Sequence, residues 1–243
     1  MNAALPGAPP VRIALIGMGR MGHALDALAA ERGCVVVARL DVADMGQGLR
    51  PEALVDAQVA IEFTQPESAV TNAVACLHAG VPVVIGTTGW AARMPQLVQA
   101  VADTQVAALW SPNFSLGVQL FLAFAEDAAR RVRRAAGFET HIVETHHSAK
   151  QDAPSGTGIA IAERVARGLG HEVGMTSVRV GSVPGTHEII FDAPFEQIRL
   201  THEARDRRVF ADGALAAARW LAAAPSAQLY TMQDVIAAGE GAL

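Results

Sequence analysis

A six-residue run, Val11–Ile16, apolar but for Arg12, stops at Gly17-Met18-Gly19-Arg20-Met21-Gly22, and a helical pattern through Met21, Leu25 and Leu28 begins at once. Strand, glycine turn and helix in that order restrict the architectures open to the chain. The glycines allow a tight turn, close approach of backbone to a pyrophosphate, and close packing of helix on strand. The helix start adds free N–H groups and a favourable dipole for the phosphates. The expectation is a Rossmann-like dinucleotide-binding domain.

The rhythm that follows agrees. Apolar, β-rich runs at 34–40, 58–63, 81–85 and 106–110 alternate with alanine-rich segments at 66–79 and 91–103 that favour helix. Near-continuous apolar strands point to a parallel sheet covered on both faces. After about residue 115 the pattern changes. A long helix from 116 to about 136 leads to a strand at 138–145, a polar loop at 146–154 and a helix at 155–168. Extended runs at 178–183, 187–191 and 197–202, broken by Gly181, Pro184-Gly185 and Pro194, suit a mixed sheet, and an alanine-rich helix closes the chain. The fold class is therefore α/β, with a second α+β domain built on a mixed sheet.

Composition excludes several function classes. With 51% apolar and 18% charged residues among 243, a buried core is expected, and a net charge of −5 gives no general pull towards nucleic acid or anionic membrane. No apolar run reaches membrane-spanning length, and Met1 to Pro10 lacks the basic start and apolar core of a secretory signal. Cys34 and Cys76, the two cysteines, lie in apolar stretches and suit a reducing cytoplasm.

Further along, two stretches resemble ligand loops. Asp41 lies nineteen residues after Gly22, about where a carboxylate meets the adenosine ribose, while nearby Arg39 is suited to a 2′-phosphate. That pair slightly favours NADH over NADPH. Gly86-Thr87-Thr88-Gly89 follows the fourth strand, at the carboxyl end where open α/β sheets bind ligands.

The most informative segment is Glu144 to Gly158, which places His146, His147 and Lys150 within five residues just before a helix start at Ser155. Three potential cations beside a helix N-terminus form a trap for carboxylates, and a histidine there titrates where proton donation is useful. No cysteine, H-E-x-x-H helix or evident third ligand accompanies the histidine pair, so no metal is expected. His187 and His202, in extended runs, read by default as structural or partly exposed.

Together these motifs resemble the 4-hydroxy-tetrahydrodipicolinate reductase (dihydrodipicolinate reductase) family of the diaminopimelate route to lysine. The strongest element is E-x-H-H-x-x-K-x-D-x-P-S-G-T, present without a gap from Glu144 to Thr157. The glycine loop, the G-T-T-G turn, the Ser111-Pro112-Asn113-Phe114 run, Pro184-Gly185-Thr186-His187 and Thr201-His202-Glu203-Ala204 with Arg207 and Phe210 occur in the family's order. Departures are a glycine loop one residue shorter than is common, Asp41 in place of a glutamate–arginine pair, and Glu62 where aspartate is usual.

The resemblance implies a dinucleotide-binding domain at 1–115 with 208–243, and a substrate-binding, tetramer-forming domain at 116–207. It implies His146 as general acid with Lys150 assisting, and His147, Gly156 and Thr157 as ligands of a small dicarboxylate. Gly17 to Gly22, Asp41, Gly86, Thr87, Thr88 and Ser111 to Phe114 would hold NADH or NADPH. A related amino-acid dehydrogenase would share the glycine loop but should lack the E-x-H-H-x-x-K run. A non-catalytic NAD(H) sensor has no basic face or DNA-binding helix pair to support it.

Overall fold

The computed structural model describes residues 9–41, 48–54, 56–135, 137–223 and 226–238. Two compact units divide the chain, one formed by Met1–Phe114 with Phe210–Leu243 and the other by Ser115–Val209.

In the first unit, strands β1 (Val11–Ile16), β2 (Cys34–Leu40), β3 (Val59–Glu62), β4 (Val83–Ile85), β5 (Ala108–Trp110) and β10 (Leu229–Tyr230) form one sheet. Their order is β10-β5-β4-β3-β1-β2, and every pair is parallel. Helices α1 (Arg20–Ala29), α2 (Pro66–His78) and α3 (Met94–Thr104) connect the strands, and α6 (Arg208–Ala222) and α7 (Met232–Ala237) complete the unit. Ala14 and Ile16 join a cluster with Val70, Leu77 and Leu97 from α2 and α3. Ile13 and Leu15, on the opposite face of the same strand, are equally buried, so both faces of the sheet are covered.

Strand β10 is not apparent in the sequence. Only Leu229 and Tyr230 belong to it, and it exists because it extends the sheet beside β5. Chain order reverses direction at β1, which lies between β3 and β2. In open α/β sheets this switch point is where a crevice opens at the carboxyl ends of the strands.

The second unit packs α4 (Leu116–Val132) and α5 (Gly156–Leu169) on a four-stranded sheet of order β7-β6-β8-β9. These strands are β6 (Glu139–His146), β7 (Gly174–Arg179), β8 (Thr186–Ala193) and β9 (Glu196–Glu203). β6 and β7 run parallel, whereas β6–β8 and β8–β9 are antiparallel, so the sheet is mixed. The extended run expected at 178–183 lies earlier, at Gly174–Arg179, because that stretch is the one in register with β6.

Ser115 caps α4 by accepting from the Val118 N–H at 3.2 Å, and Ser155 caps α5 by accepting from Gly158 at 2.9 Å. Ile142, Ile189 and Phe191 fill the space between sheet and helices. At the helix crossing, a Cβ on Gly168 would lie 2.6 Å from the Glu126 carbonyl, so the small residue is what lets α5 approach α4. Among the described residues no helix is long and apolar enough to cross a membrane.

Candidate active site

A cleft of about 850 Å³ opens at the carboxyl end of β1, β3 and β4 in the first unit. Gly17, Met18, Gly19, Arg20 and Met21 form one wall, Gly86, Thr87 and Thr88 another, and Asp41 lies at its margin. Gly17 has φ +93°, and a Cβ there would strike the Phe63 carbonyl. Gly22 lies below the cleft rather than on its wall: its hydrogens face the Gly17 carbonyl, and a Cβ would collide with it. The loop and α1 are thus held together by backbone packing, which leaves a cradle at the helix start that suits a pyrophosphate.

The segment after β3 was missed in the sequence, and Phe63, Thr64 and Gln65 all line the cleft. Buried Glu62 anchors it. Its Oε1 accepts from the Thr64 N–H at 3.0 Å and from the Thr64 hydroxyl, while the same N–H also donates to Thr87 Oγ1 at 2.8 Å. Burial pushes the Glu62 carboxyl above its ordinary range, with the hydrogen bonds from Thr64 and Thr87 opposing. Glu62 therefore ties the β3 loop to the G-T-T-G turn. Ser111 to Phe114 do not line the cleft; Ser111 donates to the Asn113 carbonyl at 2.7 Å, and Phe114 packs against Phe63 with ring centres 5.9 Å apart.

A separate group of polar side chains gathers in the second unit, at the end of β6. His146 is buried there, with Nδ1 3.8 Å from Oε2 of fully buried Glu144. Lys150 pairs with Asp152 of its own loop at 2.8 Å, and Arg207 donates to His147 Nε2 at 2.6 Å. Gly156 and Thr157 are the first residues of α5. The run from His146 to Thr157 is thus a strand end, a cationic loop and a helix N-terminus in succession, as its composition suggests.

The structure adds Arg179 to the group and places His187 beside it, buried in an extended run, in keeping with the structural alternative expected for it. Arg179 ends β7 opposite His146, and its Nη2 donates to Glu144 at 2.8 Å. Buried His187 stands opposite Glu144 on β8, with its ring 5.2 Å from that of His146 and inclined at 75°. His202 on β9 continues the row beside Phe121, half-buried.

Burial lowers the pKa of His146, opposed chiefly by the Glu144 charge and reinforced by Lys150 and Arg179. His187 is pushed down to about 4 by burial and by its neighbour His146. For Glu144, burial acts upward but is outweighed by hydrogen bonds from Ser155, Arg179 and Ser177, which hold the carboxyl near about 2. Glu144, His146 and His187 thus bring metal-ligand types together, which the sequence did not reveal. However, a guanidinium and two serine hydroxyls already engage Glu144, and the guanidinium opposes a cation at that carboxylate. The arrangement sets an ionised carboxylate beside His146, which partly offsets the burial that disfavours a proton on its ring.

Comparison with known proteins agrees with the residues. Residues 11–114 match the N-terminal domain of dihydrodipicolinate reductase and residues 117–236 its C-terminal domain. A 4-hydroxy-tetrahydrodipicolinate reductase of Thiobacillus denitrificans is 36% identical over 271 aligned residues, covering 93% of this chain and 98% of that one. The Caulobacter vibrioides protein of the same name is 37% identical, covering 93% and 97%. Among solved structures, a dipicolinate-bound dihydrodipicolinate reductase from Paenisporosarcina sp. TG-14 shares the fold at TM-score 0.75 and 22% identity, covering 91% and 97%. With both domains matched and relatives aligned along nearly its whole length, the chain belongs to the dihydrodipicolinate reductase family of oxidoreductases.

Proposed function

We propose that this chain reduces 4-hydroxy-tetrahydrodipicolinate, by way of dihydrodipicolinate, to tetrahydrodipicolinate in the diaminopimelate route to lysine. The observation that carries the reading is buried His146 at the head of a cationic loop and a helix N-terminus, facing an ionised glutamate. In balance, the hydroxylated ring loses water, then gains one hydride and one proton, while NAD(P)H becomes NAD(P)⁺. The dinucleotide, when bound, supplies the hydride from nicotinamide C4.

The chain's own residues do the rest. Residues 1–115 with 208–243 bind the dinucleotide: Gly17 to Met21, Asp41 and Gly86 to Thr88 line its cleft, Gly22 supports the glycine loop from below, and Ser111 to Phe114 contribute from outside the lining, with Phe114 packed behind Phe63. Residues 116–207 hold the dicarboxylate. His147, Lys150 and the first N–H groups of α5 at Gly156 and Thr157 offset its two negative charges. His146 gives up the proton that the reduced ring requires, with Lys150 assisting.

NADH is favoured over NADPH, because Arg39 is engaged by Asp26. A cytoplasmic location is supported by Cys34 and Cys76, both buried and free of disulfide. A homotetramer built through the second unit's sheet is supported by exposed Val178 on β7 and exposed Val180 just beyond it. Sedimentation velocity is expected to give four copies.

Calorimetric titration with dipicolinate, a planar dicarboxylate analogue, tests the substrate assignment. Binding is expected for the wild type, weakened at least about ten-fold in a His147→Ala, Thr157→Val double variant. Equal affinity in both proteins would remove those residues from the dicarboxylate site.

A further inference from the structure

Strand register places Ser177, Glu144, His187 and His202 in one row across β7, β6, β8 and β9, with Arg179 and His146 in the next row. Residues paired across neighbouring strands share a face, and this one continues into Ile142, Ile189 and Phe191 of the core. A polar row set into an apolar layer is costly unless its members satisfy one another.

Glu144 is satisfied. The Ser155 N–H donates to both its oxygens, at 3.0 and 3.1 Å, Ser177 Oγ donates at 2.8 Å and Arg179 Nη2 at 2.8 Å, and the Ser155 hydroxyl adds a further bond. The carboxylate can neither turn nor readily take up a proton. By contrast, Nδ1 of His146 and both ring nitrogens of His187 make no hydrogen bond among the described residues. Both imidazoles lie just beyond bonding distance of Glu144 Oε2, at 3.8 and 3.9 Å.

We propose that Glu144 is a positioning residue for His146: clamped by Ser155, Ser177 and Arg179, its carboxylate is the fixed counter-ion towards which Nδ1–H of protonated His146 turns. This deepens the reading of His146 as general acid and rests on it. A buried imidazole resists charging, and an acid that is never protonated donates nothing. An adjacent carboxylate that stays ionised offsets part of that burial penalty and orients the ring.

The groups facing His146 divide by sign. Glu144 on its own strand and Asp152 in the following loop favour its proton; Lys150 in that loop and Arg179 on β7 oppose it. His187 on β8 stays neutral near physiological pH, held so by burial, and His202 lies beyond it on β9. Two charged imidazoles would not share one carboxylate at this separation.

The test is the titration midpoint of the His146 ring, followed by NMR of Cε1-labelled histidine, with His146→Gln used to assign the signal. Glu144→Gln is expected to lower the midpoint by about one pH unit or more, and Glu144→Asp, which keeps the charge, by less. Arg179→Met removes an opposing cation and is expected to raise it. The alkaline fall of kcat should move in the same direction in each variant, so a one-unit drop means about ten-fold less turnover above the midpoint.

Opposite shifts in Glu144→Gln and Arg179→Met support the proposal, and an unmoved midpoint in folded variants overturns it. If Glu144→Gln does not fold, Glu144→Asp and Arg179→Met still decide by their direction. The ring titration needs no turnover, so shifted midpoints in an enzyme inactive on the proposed substrate would reject the reductase reading alone.

Discussion

Arg39 and Asp26 form a two-point ion pair, Nε to Oδ2 at 2.8 Å and Nη2 to Oδ1 at 2.6 Å, which draws the guanidinium onto α1. Arg39, the cation at the end of β2 suited to a 2′-phosphate, is therefore engaged, while Asp41 lines the cleft. Asp41→Ala is expected to lower kcat/KM with NADH by about ten-fold, the worth of a hydrogen bond to a charged group, and to leave NADPH unharmed or improved. The measurement is the ratio of kcat/KM for the two cofactors; an unchanged ratio would remove Asp41 from ribose recognition.

Gly22 offers a second test, because its hydrogens are the reason α1 can approach the Gly17 carbonyl. Gly22→Ala must push the helix start away from the turn. NADH fluorescence titration is expected to show affinity at least about ten-fold weaker, and NADH should no longer raise the melting temperature. Wild-type affinity would show that the cradle tolerates a side chain and that the shorter glycine loop binds in another way.

His187 sets a pH dependence of stability. Its folded pKa, about 4, lies below the roughly 6.5 of an unfolded histidine, so between those values the unfolded chain binds a proton that the folded chain refuses. Stability should fall as pH drops through that window, by about 1.4 kcal/mol per pH unit from this group, with His146 adding in the same direction. Glu144 is shifted in the same direction but acts in a lower window: its contribution is present above about 4.5 and is lost as pH falls towards about 2. Urea unfolding at pH ~7 and ~5 should show the first effect, and His187→Phe should flatten it. An equally steep fall in His187→Phe would assign the loss to other groups.

His146→Gln keeps a polar side chain without an imidazole. It is expected to lower kcat by about 100-fold or more while NADH affinity stays unchanged. Unchanged turnover would contradict the assignment of His146 as general acid.

What the sequence revealed follows the range of the forces involved. β1, the glycine turn and α1 were legible because a contiguous apolar run, a turn and a helix start lie within a short stretch. His146, His147, Lys150 and the Ser155 cap were legible for the same reason. Arg179, His187 and Glu144's clamp were not, because they meet only through cross-strand register, which no local pattern encodes. A lone arginine in the otherwise uncharged β7 was the available signal for Arg179. Glu62 reads in the sequence only as a departure from the family's pattern, yet it joins two loops of the cleft through Thr64 and Thr87. The two-residue β10 has too little sequence to announce itself and forms only by pairing with β5.

The most direct test is a coupled assay in which a synthase makes the substrate in place from pyruvate and aspartate semialdehyde, with NADH and NADPH oxidation followed separately. Substrate-dependent oxidation is expected, with a higher kcat/KM for NADH and inhibition by dipicolinate. Folded protein that binds NADH but oxidises neither cofactor when substrate is supplied would contradict it.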